Sequence, residues 1–358
     1  IPLGVFSASY LDQERYGLVG KIERVDKEPI ESAIRAGGKG VESSLRAFAA
    51  GFEQARRPSP SAPDGVRAPI ADESPMTNDP ALQALVQRVR AEFPDDVQPM
   101  IFAGIRRLTD YQDAAYAHEY LDRLRETHRQ DVRLGAGKQF ALTKTAAKYV
   151  AVAMAYDDVI RVADLKTRAT RFARVEREVG RRDDQILYPT EFMHPRMEEV
   201  AGTLPLRVGR WLEARPALFR AMDRIVNRGR RVRTGTVSWF LVLYCVAGLR
   251  RFRRGSLRHQ QEMAHLGHWL AMAHDIAKRD YDLSVEVLAT RRLVKGYSDT
   301  HARGTSKFDR VIAQAPGLVG RPDAAGWLRR LRDAALADEE GAMLDGAIRT
   351  VETAFDDP

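Results

Sequence analysis

Residues 101–124, IFAGIRRLTDYQDAAYAHEYLDRL, place an apolar side chain at every third or fourth position. This spacing matches the 3.6-residue turn of an α-helix, so the apolar side chains share one face. Ile101, Ile105 and Leu108 begin the stripe, and Leu121 and Leu124 continue it. The segment therefore predicts amphipathic helix that packs against a core through this face.

The same periodicity extends outward over most of the chain after residue 81. Residues 143–162 are rich in alanine, which favours helix, and strand alternation with turn signals is hard to find. We therefore predict a mainly α protein in which residues 81–358 form one all-helical domain. Further helices are predicted over residues 257–277, 280–294, 323–336 and 338–355.

Residues 56–80 differ in composition, since prolines are spread among small polar residues. Such a run cannot bury enough apolar surface to order itself, so it predicts a linker. Residues 1–55 then form a separate short piece. Within it, residues 41–55 predict a helix with Leu45, Phe48 and Phe52 on one stripe.

The charge balance is basic, with 57 Lys and Arg against 49 Asp and Glu, which favours an anionic ligand or partner. The single cysteine, Cys245, excludes an intrachain disulfide framework and any Cys-ligated cluster held by this chain alone. Residues 1–10 carry no secretory signal, so a cytoplasmic location is expected. The missing initiator methionine predicts a fragment or a processed piece.

Residues 239–249, WFLVLYCVAGL, form the most apolar stretch. As a helix they would rise about 16 Å, roughly half of a hydrocarbon core, so the stretch does not span a bilayer. Arginines flank it on both sides. A buried core helix with an inert Cys245 is the favoured interpretation, and a membrane-surface anchor is the alternative.

Two Glu-x-x-His pairs could contribute to a carboxylate-bridged metal site: Glu191 with His194, and Glu262 with His265, followed by His268. Prolines bracket the first pair and disfavour a helix there. We therefore predict no metal site and interpret the second pair as a solvated polar face.

Residues 134–140, LGAGKQF, place glycines and Lys138 before a predicted helix. The nucleotide-binding fingerprint requires a glycine at position 132, where Val132 stands, and a hydroxyl residue where Gln139 stands. The stretch is interpreted as an ordinary helix entry, as is AGGKG at residues 36–40.

Residues 207–258 contain fourteen arginines, which either form a solvated, ion-paired surface or bind an anion, a partner or nucleic acid. The densest group within this segment is a candidate basic surface. It consists of Arg228, Arg230, Arg231 and Arg233.

Residues 293–312, LVKGYSDTHARGTSKFDRVI, hold the densest run of titratable side chains, and residues 295–304 are predicted to form a loop between helices. Asp299 could orient His301 while the basic side chains face an anionic substrate or partner. Alternatively, Asp299 caps a backbone amide and the bases are solvated. Sequence leaves both open, and no catalytic residue is assigned. The candidate residues are Lys295, Tyr297, Asp299, His301, Arg303 and Lys307.

Five long blocks of the sequence together carry a family resemblance. They are AIRAGGKGVESSLRAFAAGFE (33–53), RRLTDYQDAAYAHEYLDRL (106–124), TEFMHPRMEEVAGTLP (190–205), NRGRRVRTG (227–235) and RRLVKGYSDTHARGTSKFDRV (291–311). These blocks resemble the longer form of the indolepyruvate oxidoreductase beta-subunit family, which joins a 2-oxoacid:ferredoxin oxidoreductase gamma-type domain to a helical extension. The resemblance covers nearly the whole chain and implies that residues 1–55 are the tail of an α/β domain whose body is absent.

The resemblance implies a complex that oxidatively decarboxylates arylpyruvates to aryl-acetyl-CoA with ferredoxin as electron acceptor. Thiamine diphosphate and iron–sulfur clusters are then expected on the partner alpha subunit, and coenzyme A is a candidate ligand. No membrane contact is expected. An arginine-rich helical module that binds nucleic acid or another anion is the alternative function.

Overall fold

The computed structural model describes residues 27–36, 41–56, 78–180, 187–296, 298–338 and 341–355. The chain divides into two units, residues 1–72 and 73–358. The glycines of the AGGKG stretch, residues 37–40, and most of the predicted linker lie outside the described residues. The predicted boundaries 1–55, 56–80 and 81–358 therefore stay predictions.

The first unit contains two described helices, α1 (Lys27–Ala36) and α2 (Val41–Arg56). The rings of Phe48 and Phe52, one turn apart on α2, have centroids 5.8 Å apart. The helix predicted over residues 41–55 is thereby confirmed.

Helices dominate the described part of the second unit, which confirms the predicted mainly α class. Their bounds in chain order are α3 Pro80–Glu92, α4 Gln98–Tyr111, α5 Ala114–Leu134, α6 Ala141–Met154, α7 Val159–Thr167, α8 Ala169–Val179, α9 Met197–Thr203, α10 Leu206–Glu213, α11 Pro216–Val226, α12 Val237–Gly248, α13 Leu257–Ala277, α14 Tyr281–Ala289, α15 Ser298–Leu318, α16 Ala324–Ala337 and α17 Ala342–Phe355. Short 3₁₀ helices cover Asp95–Val97, Leu249–Gly255 and Thr290–Leu293.

Aspartate caps decide where several of these helices begin. The Asp79 carboxylate accepts a hydrogen bond of 2.9 Å from the backbone N–H of Ala81. The Asp113 carboxylate accepts one of 2.8 Å from Tyr116 N–H. These bonds satisfy N–H groups that have no partner within the helix. The apolar stretch of residues 101–124 is accordingly divided between α4 and α5.

Helices α3–α6 and α13–α17 share one buried apolar cluster. Helix α4 packs on α5 and α6, and α14 packs on α6, α13 and α16. Buried polar tips within the cluster bond to backbone carbonyls: Tyr120 Oη donates to Ala147 O at 2.8 Å, and Trp269 Nε1 donates to Val287 O at 2.9 Å. A second, smaller cluster forms around Met197, Ala201 and Leu212.

A short two-stranded antiparallel sheet, whose strands are joined through helices α9–α11, corrects the expectation of an almost strand-free chain. Strands β1 (Thr190–Met193) and β2 (Arg230–Arg233) pair antiparallel, with Thr190 opposite Arg233 and Met193 opposite Arg230. The Glu191 carboxylate contacts Lys166 on α7 and Arg171 on α8, which fixes the ribbon to these helices. Each strand is only four residues long, too short for its sequence to show the alternation that predicts a strand.

Helix α15 corrects the predicted loop. Residues 298–318 are helical, and only a few residues separate the 3₁₀ helix Thr290–Leu293 from α15. The Gly304 Cα lies so close to this 3₁₀ helix that a Cβ there would meet Leu293 O at 2.7 Å. The polar stretch from residue 298 onward therefore belongs to a packed helix and not to a loop.

Helix α12 corrects the predicted core helix. Only Leu243 is buried, while Leu241 is 54% and Tyr244 63% exposed, and Cys245 is also exposed. Among the described helices, none combines the length and apolar character that crossing a bilayer requires.

Candidate anion-binding pocket

A pocket of about 190 Å³ opens where α4, the turn after α6 and the segment before α15 meet. Its wall is partly apolar and partly cationic. The lining residues are Arg107, Val152, Ala155, Tyr156, Asp157, Arg291, Val294, Lys295, Gly296 and His301.

Positive charge predominates in the lining. Arg107, Arg291 and Lys295 face a single carboxyl, that of Asp157. Burial raises the pKa of Asp157, although the positive charges of Arg107 and Arg161 act in the opposite direction. The pocket therefore favours an anion, and Asp157 supplies an acceptor beside it.

Arg291 is the buried cation of the pocket, with 3% of its surface exposed. Its Nη1 lies 3.0 Å from His265 Nδ1, and its Nη2 lies 3.4 Å from Glu262 Oε2. Its Nε is buried and has no hydrogen-bond partner among the residues that the structure describes. Since a guanidinium keeps its charge in proteins, Arg291 is a fixed donor with unused capacity.

Glu262 on α13 holds the charged side chains behind the pocket. Its Oε1 lies 2.7 Å from Arg258 Nη2 and 3.2 Å from His301 Nε2. Burial by itself would raise the pKa of Glu262, but the hydrogen bond from His301 and the charges of Arg258 and Arg291 outweigh it. The pKa of Glu262 is thereby lowered to about 2. The carboxylate stays ionised and fixes His301 and Arg291 at the pocket wall.

This geometry corrects the prediction that the Glu262–His265 pair forms a solvated polar face. Glu262 is buried, the His265 ring packs edge-on against Phe308, and only His268 is exposed. In the other predicted pair, Glu191 with His194, the glutamate does not act together with the histidine. The Glu191 carboxylate, on β1, instead forms ion pairs with Lys166 and Arg171. Within the described ranges, no group of three His, Cys, Asp or Glu side chains could hold a metal ion.

The candidate residues of the 293–312 stretch separate in the structure. Lys295 and His301 line the pocket. Lys307 instead donates to the backbone carbonyls of Ala335 and Asp338 at the end of α16, and Arg303 is exposed. Tyr297 and the Asp299 side chain lie outside the described residues. His301 Nε2 lies 3.2 Å from Glu262 Oε1, and its Nδ1 lies 3.4 Å from Thr305 Oγ1, while the orienting role of Asp299 stays a prediction.

The predicted basic surface is exposed and does not adjoin the pocket lining. Arg231 stacks on the Phe192 ring and Arg233 on the Tyr188 ring, at 5.4 and 5.8 Å from the ring centres. None of its four arginines forms an ion pair with a described carboxylate. These residues are Arg228, Arg230, Arg231 and Arg233.

Comparison with known proteins gives a family for this fold. The model of a family of unknown function, DUF6537, matches residues 97–314, more than half of the chain. The chain belongs to this family. All residues that line the pocket lie inside the region matched to DUF6537.

Curated relatives match only short segments. A mitochondrial protein of Schizosaccharomyces pombe is 65% identical over 34 residues, which are 10% of this chain and 4% of that protein. The acetylglutamate kinase of Xylella fastidiosa is 64% identical over 33 residues, 9% of this chain and 8% of the kinase. The chain thus spans less than a tenth of the length of these relatives. No solved structure matches it.

Three charged side chains that line the pocket were not identified from sequence: Arg107, Asp157 and Arg291. Their positions in helices and turns carry no motif. Glu262 offered a signal, because it shares a helical stripe with the buried Leu266 and Trp269. A carboxylate that faces the core is buried, and a buried charge needs an oppositely charged partner. The position of Glu262 therefore indicated a buried cation nearby, and Arg291 is one such cation.

Proposed function

We propose that this DUF6537 protein is an accessory subunit of an indolepyruvate:ferredoxin oxidoreductase. The complex would decarboxylate arylpyruvates oxidatively to aryl-acetyl-CoA and pass the electrons to ferredoxin. Thiamine diphosphate and the iron–sulfur clusters would belong to the alpha subunit, and the complex would work in the cytoplasm. This chain would contribute assembly and an anion-binding pocket.

The proposal is supported by one observation: segments that carry the family resemblance, and that are far apart in sequence, lie close together in the fold. Residues 106–124 contribute Arg107 to the pocket, and residues 291–311 contribute Arg291, Lys295 and His301. Two further blocks, residues 190–205 and 227–235, pair with each other as β1 and β2. The resembling segments therefore meet in one pocket and in one two-stranded sheet, which supports a shared role for them.

The pocket fits the acid end of a small ligand. Its volume of about 190 Å³ is below the roughly 300–1,000 Å³ typical of sites for larger ligands, so it does not hold a whole coenzyme A. A guanidinium matches the planar geometry of a carboxylate, and Val152, Ala155 and Val294 offer an apolar wall. We propose an arylpyruvate or arylacetate carboxylate as the ligand, with a coenzyme A phosphate as the alternative anion.

Titration of the purified full chain with phenylpyruvate tests the pocket. Arg107→Ala is expected to weaken binding about tenfold or more, since a charge-assisted hydrogen bond contributes about 1.5–3 kcal/mol. Arg106→Ala removes the same charge from a neighbouring exposed residue that does not line this pocket, and it should leave binding unchanged. Equal losses in both variants would indicate general charge attraction and contradict the assignment.

Isolation of the full-length protein from its host tests the complex. Recovery with a thiamine-dependent, cluster-bearing subunit and arylpyruvate-dependent reduction of ferredoxin is the expected result. Recovery without such a subunit would reject the accessory role, whatever the pocket binds.

The exposed arginines of β2 favour nucleic acid as a second candidate. Arg230, Arg231 and Arg233 lie on a two-stranded ribbon beside the exposed Phe192 ring. Phosphate contacts release counterions, so binding of duplex or single-stranded DNA that falls steeply with salt would support this alternative. Weak binding at all salt concentrations would remove it.

A further inference from the structure

Helix α12 carries no charged residue, yet it lies at the surface. Its sequence is VSWFLVLYCVAG, and Leu243 is its one buried side chain. At about 100° per residue, the exposed positions of α12 form one continuous arc of roughly 160° on the side away from Leu243. Helices that are apolar all round are ordinarily buried. We name this arc the α12 face; its apolar side chains are Val237, Leu241, Val242, Tyr244 and Cys245.

The part of the chain around α12 has little core of its own. Helix α12 packs chiefly on α7, in which only Ile160 and Ala163 are buried, and none of its residues belongs to the small cluster around Met197. Most of the large apolar side chains that are exposed in the described residues lie between residues 188 and 252. On α12 these side chains share one arc, and a contiguous apolar surface of this kind marks a site that another molecule covers.

Arginines that form no ion pair within the described part of the chain precede and follow α12 in sequence. Arg230, Arg231 and Arg233 lie on β2 before the helix, and Arg251 follows it. All four are exposed, and none lies within ion-pair distance of a carboxylate among the described residues. Nearby Arg254 differs, since it pairs with Glu119. The molecule that covers the α12 face must therefore bring negative charge to both ends.

This charge pattern disfavours a second copy of the chain. A two-fold contact through antiparallel α12 helices would bring Arg233 of one copy toward Arg251 of the other, and like charges repel. It favours a surface that is apolar at its centre and acidic at its rim.

The residue types indicate protein rather than lipid. No lysine occurs between residues 187 and 277, and every strong cation there is an arginine. Arginine and aromatic residues are enriched at protein interfaces, whereas lysine is depleted. Tyr244 and the aromatic side chains near the arginines add the anchors that such interfaces use.

We propose that the α12 face docks a partner protein whose surface is apolar at the centre and acidic at the rim. The identification of this partner as the thiamine-dependent alpha subunit rests on the proposed function. Val237, Leu241 and Tyr244 are exposed by 76, 54 and 63%, so their burial supplies the main driving force. Arg233 and Arg251 fix the orientation through ion pairs at the rim.

Hydrogen exchange tests the proposal with the full-length protein, as a native assembly from its host and as the purified chain alone. Backbone amides of residues 237–248 are expected to exchange at least about tenfold more slowly in the assembly, because docking suppresses local opening of the helix. Equal exchange in the two samples would overturn the proposal.

Matched variants connect this protection to the surface. Leu241→Glu is expected to reduce recovery of the assembly about tenfold or more, since a carboxylate would be buried in an apolar contact. Val132→Glu makes the same change at a residue that is 61% exposed on α5, and it should leave recovery unchanged. Loss of the assembly in both variants, or in neither, would overturn the proposal.

The outcomes separate the docking surface from the accessory role. Protection of α12 by an acidic protein without thiamine diphosphate would support the surface and reject the role. A thiamine-dependent partner that leaves α12 unprotected would do the reverse. Protection of the purified chain by self-association, or by vesicles of anionic phospholipid, would replace the protein partner with a second copy or a membrane and so overturn the proposal.

Discussion

Individual arginines of this protein differ sharply in what they stabilise. Arg253 is 1% exposed, and its Nε lies 2.8 Å from Asp158 Oδ2. Its Nη1 donates to Tyr111 O at 2.8 Å, and the guanidinium stacks on the Tyr111 ring. Arg254, the next residue, forms a half-exposed pair with Glu119. From sequence alone, Arg253 and Arg254 would both be interpreted as arginines of a solvated basic segment.

Arg253→Met should lower the free energy of unfolding by about 3–5 kcal/mol, because it leaves the Asp158 carboxylate buried without its partner. Arg254→Met should change it by less than about 1 kcal/mol, since exposed ion pairs contribute little. Urea denaturation of the two variants measures the difference.

The double variant Arg253→Met with Asp158→Asn provides the control. It removes both charges while Asn keeps a side-chain oxygen that can cap α7, so part of the lost stability should return. Similar stability of Arg253→Met and the wild-type protein would contradict the importance of the buried pair.

At the scale of elements, the approach of α15 to the 3₁₀ helix Thr290–Leu293 builds the pocket. Arg291 belongs to the 3₁₀ helix, Lys295 to the short connection, and His301 to the first turns of α15. Gly304 permits this approach because its missing Cβ leaves room for Leu293 O. A glycine that looks like a helix interruption in sequence thus acts as a packing position.

Gly304→Ala should destabilise the protein by about 1–3 kcal/mol and weaken anion binding, because the added Cβ forces the two elements apart. Gly317→Ala lies on the same helix with open space around it, so its stability should stay the same or rise slightly. Thermal unfolding and phenylpyruvate titration of both variants provide the test. An unchanged melting temperature and unchanged binding in Gly304→Ala would show that the close contact is unimportant.

At the scale of the whole molecule, one apolar cluster spans the second unit. Its buried members run from Leu85 on α3 to Val351 on α17, so the first and last helices of this unit share a core. All members of that cluster come from the second unit, residues 73–358. The described core is therefore complete within that unit.

Deletion of residues 1–72 should leave the melting temperature of residues 73–358 within about 2 °C of the corresponding transition in the full chain, since every described member of the apolar cluster lies in residues 73–358. Differential scanning calorimetry of both proteins measures it. A shift of more than about 5 °C, equivalent to roughly 2 kcal/mol for a domain of this size, would show that the first unit contributes to the stability of the second.

Sequence determined the helical class, because the apolar period of Ile101, Ile105 and Leu108 is a local property that fixes which face is buried. It also located helix α13 over residues 257–277 and the polar cluster around Lys295 and His301. Tertiary structure decided the rest. Arg291 and Glu262 became a buried pair, α12 remained exposed, and β1 met β2, because each outcome depends on contacts between residues far apart in the chain. Apolar periodicity indicates which face of a helix is buried. Only the tertiary structure shows which residues that face contacts.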